Sequence, residues 1–128
     1  MDSTVHHPPR LTHNQALGAY GELLAARFLT AQGLVLLDHN WRSPAGEIDL
    51  VLRDGRTLVI CEVKTRSSND YGTPHEAIDR RKVDRMRRLA GCWLRAHSVH
   101  PDDIRLDLVA VIVPRAGDPE IDHVVGLS

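Results

Sequence analysis

Gly46-Glu47-Ile48-Asp49-Leu50-Val51-Leu52-Arg53-Asp54-Gly55-Arg56-Thr57-Leu58-Val59-Ile60-Cys61-Glu62-Val63-Lys64 governs the architecture of this 128-residue chain. Residues 47–53 alternate polar and apolar, the period-two signature of a strand. Ile48, Leu50 and Leu52 are expected on one face, with Glu47, Asp49 and Val51 on the other. Asp54-Gly55 is a hairpin turn signal. Thr57–Lys64 then returns, with Leu58, Ile60, Glu62 and Lys64 on one side and Val59, Cys61 and Val63 opposite. A two-residue turn at Asp54-Gly55 sets Asp49 against Ile60, and a loop two residues longer sets it against Glu62. Either register keeps Asp49, Glu62 and Lys64 on one sheet face, with direct neighbours roughly 5 Å apart. A slip of one residue would separate them.

On the N-terminal side, Leu34–His39 reads as a short strand, joined to the hairpin by a loop through Ser43-Pro44-Ala45-Gly46. Before it, Thr12 and Gln15 have capping-box spacing. Ala16, Leu17, Tyr20, Leu23, Leu24, Phe28 and Ala31 recur at helical spacing up to a stop at Gly33, predicting a helix over about 13–32. Residues 1–11, with His6-His7-Pro8-Pro9, are expected to be a disordered tail. On the C-terminal side, 65–72 reads as a polar loop. Thr73-Pro74-His75-Glu76 opens a second helix that ends near His97, with Ile78 or Val83, Met86, Leu89, Ala90, Trp93, Leu94 and His97 in its apolar stripe. Leu106–Val113 is a buried strand and Ile121–Val125 a short edge strand. The order α-β-β-β-α-β-β implies one α/β domain over residues 12–128, a mixed sheet flanked by helices.

Composition narrows the function classes. A hydrophobic fraction of 42% and a charged fraction of 26% suit a globular domain. The first ten residues lack the apolar run of a signal peptide, and no stretch is long and apolar enough to cross a bilayer, so a cytoplasmic location without membrane contact is expected. Cys61 and Cys92 are expected to be thiols, and no Cys/His spacing suggests zinc. A net charge of −1 provides no global attraction to nucleic acid, so any such binding rests on local patches.

Asp49 and Glu62, held close, repel unless a cation intervenes. Oxygen donors without thiolates suit Mg²⁺ or Mn²⁺, and the Val63 carbonyl is placed to be a further oxygen ligand. Lys64, two residues from Glu62, is positioned to orient a nucleophilic water or hold developing charge. The competing reading, a solvated edge with a weak Glu62–Lys64 pair, is disfavoured on two counts. The chain has only two lysines, Lys64 and Lys82, and an acidic strand precedes the motif at hairpin distance.

Gly46-Glu47-Ile48-Asp49-Leu50 followed by Glu62-Val63-Lys64-Thr65-Arg66 resembles the PD-(D/E)xK nuclease superfamily. More narrowly, the chain resembles the YraN family of small bacterial proteins, related to archaeal Holliday junction resolvases. The likeness spans about Asn14 to Val113. It includes Gly21-Glu22, Asn40-Trp41-Arg42, Tyr71-Gly72, Lys82 and Arg105-Leu106-Asp107, and departs at Leu106, where the family more often has Phe. It implies a restriction-endonuclease-like α-β-β-β-α-β core, with Asp49 and Glu62 as metal ligands and Lys64 as catalytic lysine. It further suggests Glu22, Lys82 and Asp107 at the edge of the site.

The residues themselves add detail. A helical wheel sets Glu22 opposite the apolar stripe, Glu47 shares a face with Asp49, and Lys82 lies at the margin of helix two, from where it can reach over the sheet. Asp107, in an apolar strand, needs a partner, and Arg105 is the nearest. Arg81, Arg85 and Arg88 share a face of helix two; with Lys82, Arg42, Arg66 and the Ser67–Asp70 loop they are candidates for phosphate contacts. The resulting expectation is a Mg²⁺- or Mn²⁺-dependent endonuclease acting on structured or branched DNA in repair or recombination. Symmetric junctions call for two-fold dimers, which admits a homodimer. The alternatives are a nucleic-acid-binding or assembly module without turnover, and an RNA-directed nuclease.

Overall fold

A computed structural model of the chain describes residues 11–67 and 79–128. Helix α1 (His13–Ala31) is followed by β1 (Val35–Ser43), β2 (Gly46–Asp54), β3 (Thr57–Ser67), α2 (Arg80–Ala96), β4 (Asp103–Val113) and β5 (Glu120–Val124). The sheet order is β1-β2-β3-β4-β5, antiparallel throughout except for the parallel β3–β4 pair, which α2 connects. This is the single-domain α/β arrangement expected, with a mixed five-stranded sheet and the α-β-β-β-α-β core order.

α1 starts where the capping box sets it. Thr12 Oγ1 accepts from the Gln15 amide at 3.1 Å, and the Gln15 side chain accepts from the Thr12 amide at 2.9 Å. Gly33, at φ 99°, ends it in the left-handed region that glycine favours. The face it buries differs from the predicted stripe. Gly21, Ala25 and Leu29 are the buried residues, while Tyr20 and Leu23 remain 43% and 47% exposed. Small residues won because they permit closer packing: a Cβ at position 21 would overlap the Thr65 side chain on β3.

The β2–β3 register pairs Leu50 with Cys61 and Asp54 with Thr57. The turn is therefore Gly55-Arg56, one residue beyond the Asp54-Gly55 expected, and Gly55 takes the positive φ of 60°. β1 is longer than predicted, continuing through Trp41-Arg42-Ser43 past an irregularity between Leu36 and Asp38. Its hairpin closes at Ser43↔Gly46 rather than through a longer loop. β3 and β4 also exceed their predicted lengths, pairing continuously from Thr57↔Asp103 to Ser67↔Val113.

Two cores sandwich the sheet. On the α2 side, Ile48, Val51, Leu58, Ile60 and Leu106 pack with Val83, Met86, Leu89, Ala90 and Trp93. On the α1 side, Leu50, Leu52, Val59, Cys61, Val109 and Val111 pack with Ala25, Leu29 and Leu34. α2 thus buries the stripe its sequence predicts. Ile48, expected on the face of Leu50 and Leu52, instead joins Val51 beneath α2. The strict alternation of β2 fails once, beside Asp49. The opening turn of helix two expected at Thr73–Glu76 lies outside the described residues. α2 begins at Arg80, after an extended Asp79 whose side chain accepts from the Lys82 amide at 2.9 Å.

Candidate functional site

Asp49 stands where β2 leaves β3. The ladder ends at Leu50↔Cys61, and the Asp49 carboxylate takes over: Oδ2 accepts from the Val63 amide at 2.8 Å. In an extended strand a residue's amide and carbonyl leave on the same side, so the Val63 carbonyl also faces the gap that Asp49 spans. Continuing the observed register would set Asp49 opposite Glu62, the second of the two alternatives read from sequence.

Asp49 and Glu62 line one small cavity with Glu47, Ile48, Ile60 and Arg85, floored by Met86 and Leu89 of α2. Burial pushes the Asp49 carboxyl up to about 6, against the lowering effect of the Val63 amide and helped by the charges of Glu22, Glu62 and Glu47. Three acids from α1, β2 and β3 therefore act on this carboxylate. Glu22 is not opposite the buried face of α1, as the wheel suggested. It adjoins Gly21 and is itself half-buried, because the packed line of the helix is Gly21-Ala25-Leu29.

Glu62 is held by Lys82, whose Nζ lies 2.7 Å from Oε1, with both side chains about four-fifths buried (19% and 22% exposed). Lys82 thus reaches over the sheet as its place on the helix margin predicts. Lys64 lines a separate hollow on the α1 side with Asn14, Leu17, Glu22, Val63 and Arg66. Burial lowers its pKa, as do the nearby charges of Arg66 and Lys82, while Glu62 opposes. The two acids and two lysines are thus grouped around the end of the β2–β3 ladder.

The remaining predicted residues divide. Arg85 reaches the acid cavity, and Arg66 the Lys64 hollow. Arg81 and Arg88 are exposed on the outer side of α2. Arg42 pairs with Glu47 at 3.0 Å, so its charge is partly spent on that acid. Asp107 is not at the edge of this site. It is 0% exposed on the α1 side, two strands across from Leu50, and its oxygens accept from Arg105 Nε (2.9 Å) and Nη2 (3.0 Å), His123 Nε2 (2.8 Å) and the Gly126 amide (3.1 Å). The Arg105 partner was legible in sequence; His123 and Gly126 arrive by tertiary folding alone. Asn14, on the first turn of α1, carried no sequence signal for its place beside Lys64.

The profile of Uncharacterised protein family UPF0102 matches residues 21–111, from the glycine that lets α1 approach β3 into the second half of β4. The chain belongs to this family. UPF0102 is the YraN family that the motif set resembles. The chain is 63% identical over 114 residues to the UPF0102 protein of Nocardioides sp. (strain ATCC BAA-499 / JS614), covering 89% of this chain and 92% of the relative. It is 53% identical over 113 residues to that of Beutenbergia cavernae, covering 88% and 96%. Their names carry no activity, so in this UPF0102 chain chemistry has to be argued from the site.

The donors present are carboxylate oxygens and a strand carbonyl, the set that suits a hard divalent cation. Among the described residues no three His, Cys, Asp or Glu side chains already converge as a metal site. Asp49, Glu62 and the Val63 carbonyl are the oxygens brought near one another here, with Glu62 engaged by Lys82. Cys61 is buried and Cys92 partly so, both free thiols, and burial pushes the Cys61 thiol well up. No described helix is long and apolar enough to cross a membrane.

Proposed function

We propose that this UPF0102 protein is a divalent-metal-dependent endonuclease hydrolysing phosphodiesters in structured or branched DNA. The observation that carries the reading is the Asp49–Glu62 cavity, where a carboxyl raised to about 6 faces further acids at the end of a strand pair. A buried acid cluster of that kind is a functional-site signature. Asp49, Glu62 and the Val63 carbonyl would hold Mg²⁺ or Mn²⁺. When bound, the cation supplies charge for a scissile phosphate and acidifies water.

The chain's own groups do the rest. Asp49 is fixed by its Val63 bond, so its free Oδ1 has a defined direction. Lys64, with a lowered pKa, is suited to orient a water or to neutralise charge on a phosphate oxygen. Arg66 beside Lys64 and Arg85 beside Glu62 offer backbone contacts on either side, which position a strand without reading its bases. Branched DNA is the substrate class that the resolvase likeness suggests, and a homodimer would supply the two-fold symmetry of a junction.

One observation favours a second reading, a nucleic-acid-binding or assembly module without turnover: Glu62 is already neutralised by Lys82. The deciding experiment is cleavage in Mg²⁺ or Mn²⁺ of duplex, flap, four-way-junction and RNA substrates, with Glu62→Ala as control. Metal-dependent cutting of branched DNA lost in Glu62→Ala is expected. RNA cutting alone would move the substrate class. Activity surviving in the variant would exclude this site. A Mn²⁺ thermal shift in wild type but not in Asp49→Ala would locate the cation, and equal behaviour of both supports the non-enzymatic module.

A further inference from the structure

Lys82 sits where a cation belongs. Its ammonium is 2.7 Å from Glu62 Oε1, and the pair is largely buried. Its backbone is fixed as well, since the Lys82 amide donates to Asp79, the N-cap of α2. Glu62 and Asp49 share a cavity, and the other Asp49 oxygen is tied to Val63. A divalent ion drawing on both acids must therefore take Glu62 from Lys82, or share it against the repulsion of a neighbouring ammonium.

We infer that Lys82 is an intramolecular counter-ion that competes with the metal for Glu62 and is released when the metal binds. The inference rests on the metal-dependent reading above and adds its regulation. Two further observations support exchange over a fixed structural pair. The Lys82 charge also acts on Lys64, so two ammoniums are gathered about Glu62. In addition, no three His, Cys, Asp or Glu side chains among the described residues converge as a ready metal site, so with Glu62 held by Lys82 the acids here are not arranged around a cation until that pair parts. Once released, the Lys82 side chain stands at the margin of the cavity with Arg85, on the same helix and free to meet a phosphate. Metal loading would then both complete the acid pair and turn a basic group toward the substrate.

The composition makes this testable, because Lys64 and Lys82 are the only lysine side chains. In wild-type protein the Nζ resonances of two lysines can be followed by NMR during a Mg²⁺ titration. The Lys82 resonance is expected to move from a paired toward a free ammonium in step with metal occupancy. In parallel, Mn²⁺ binding is measured calorimetrically for wild type, Lys82→Met and Lys82→Arg, each checked for folding by circular dichroism. Lys82→Met should bind Mn²⁺ roughly five-fold more tightly, the worth of a partly exposed ion pair. Lys82→Arg, which keeps the competitor, should stay close to wild type. Equal or weaker binding by Lys82→Met, or a Lys82 resonance that stays put at saturating Mg²⁺, overturns the exchange while leaving the metal site standing. Failure of wild type and both variants to bind Mn²⁺ overturns the metal-dependent reading and the exchange with it. Should Lys82→Met not fold, the wild-type titration alone settles the matter.

Discussion

The Asp49 carboxylate accepts a 2.8 Å hydrogen bond from the Val63 amide at the point where β2 and β3 cease to pair. A side chain here stands in for a strand, satisfying a backbone donor that the diverging β2 abandons. The same divergence leaves room for a pocket between Asp49, Glu62 and α2. The acid is consequently structural and chemical at once, and its substitution has to be read on both counts.

The first prediction concerns pH. Asp49 has a folded pKa of about 6 against an ordinary 3.8. A raised acid favours the fold fully below its unfolded pKa, and that contribution is lost as pH rises through the folded value. Metal-free wild type should therefore lose on the order of 2 kcal/mol between pH 4 and 7, after allowing for partial exposure. Asp49→Asn keeps an acceptor for Val63 without the charge. Urea denaturation in chelator should find it the more stable protein at pH 8, with a flatter profile. Parallel profiles for the two proteins would show that burial at Asp49 is relieved by other means.

The second concerns the approach of α1 to β3. Gly21→Ala gains about 1 kcal/mol of helix propensity but drives a methyl into Thr65. Overpacking of this kind typically costs about 1–3 kcal/mol. A lowered denaturation midpoint is expected, partly restored by adding Thr65→Ala. A stabilised Gly21→Ala would mean that the helix can shift freely on the sheet.

The third separates Asp107 from the acid cavity. It is fully buried and bonded to Arg105, His123 and the Gly126 amide. Its hydrogen bond with Arg105 is the main reason the Arg105 pKa is raised. Removing the charge by Asp107→Asn leaves Asp54 as the remaining acid partner of the guanidinium and weakens the buried bonds, a loss of roughly 2 kcal/mol. Mn²⁺ affinity of the folded variant should match wild type. A folded Asp107→Asn that no longer binds Mn²⁺ would return Asp107 to the site.

The fourth tests the far end of α2. Trp93 Nε1 donates to Asp38 Oδ2 at 3.0 Å, and the His97 ring stacks on Trp93 at 4.1 Å while donating to the Trp93 carbonyl. Trp93→Phe keeps the stack and removes the donor, which should destabilise by about 1–2 kcal/mol. Thermal unfolding measures this directly. A loss no larger than that of an exposed surface substitution would mean Asp38 is satisfied without the indole.

How much of this was legible follows from the range of the forces involved. The hairpin, its faces at Leu58, Ile60 and Glu62, and the stripe of α2 are local periodicities, and they fold as read. The turn moved by one residue because Gly55 can supply positive φ as the first residue of a turn as readily as the second. α1 misled in part: Leu24 and Phe28 of the predicted stripe do pack against the core, but the buried line is Gly21-Ala25-Leu29, and closeness at Gly21 outweighed hydrophobic area at Tyr20 and Leu23. Ile48 changed sides where β2 breaks its alternation, an event no period-two pattern encodes. At the site, the grouping of Asp49, Glu62 and Lys64 was foreshadowed by spacing, and Lys82 by its place on the helix. The Glu62–Lys82 bond and the Asp49–Val63 bond were not, since each joins segments whose distance only the complete sheet fixes.

The single parallel joint in the sheet has a kinetic corollary. β1, β2 and β3 are joined by tight turns and can zip together from local contacts, whereas β4 reaches β3 only after the chain has crossed through α2. Asp49 and Glu62 belong to the early-forming piece and Lys82 to the late one. If the strands assemble in that order, both acids come together before Lys82 reaches Glu62, and divalent salts are then expected to speed the early phase of refolding.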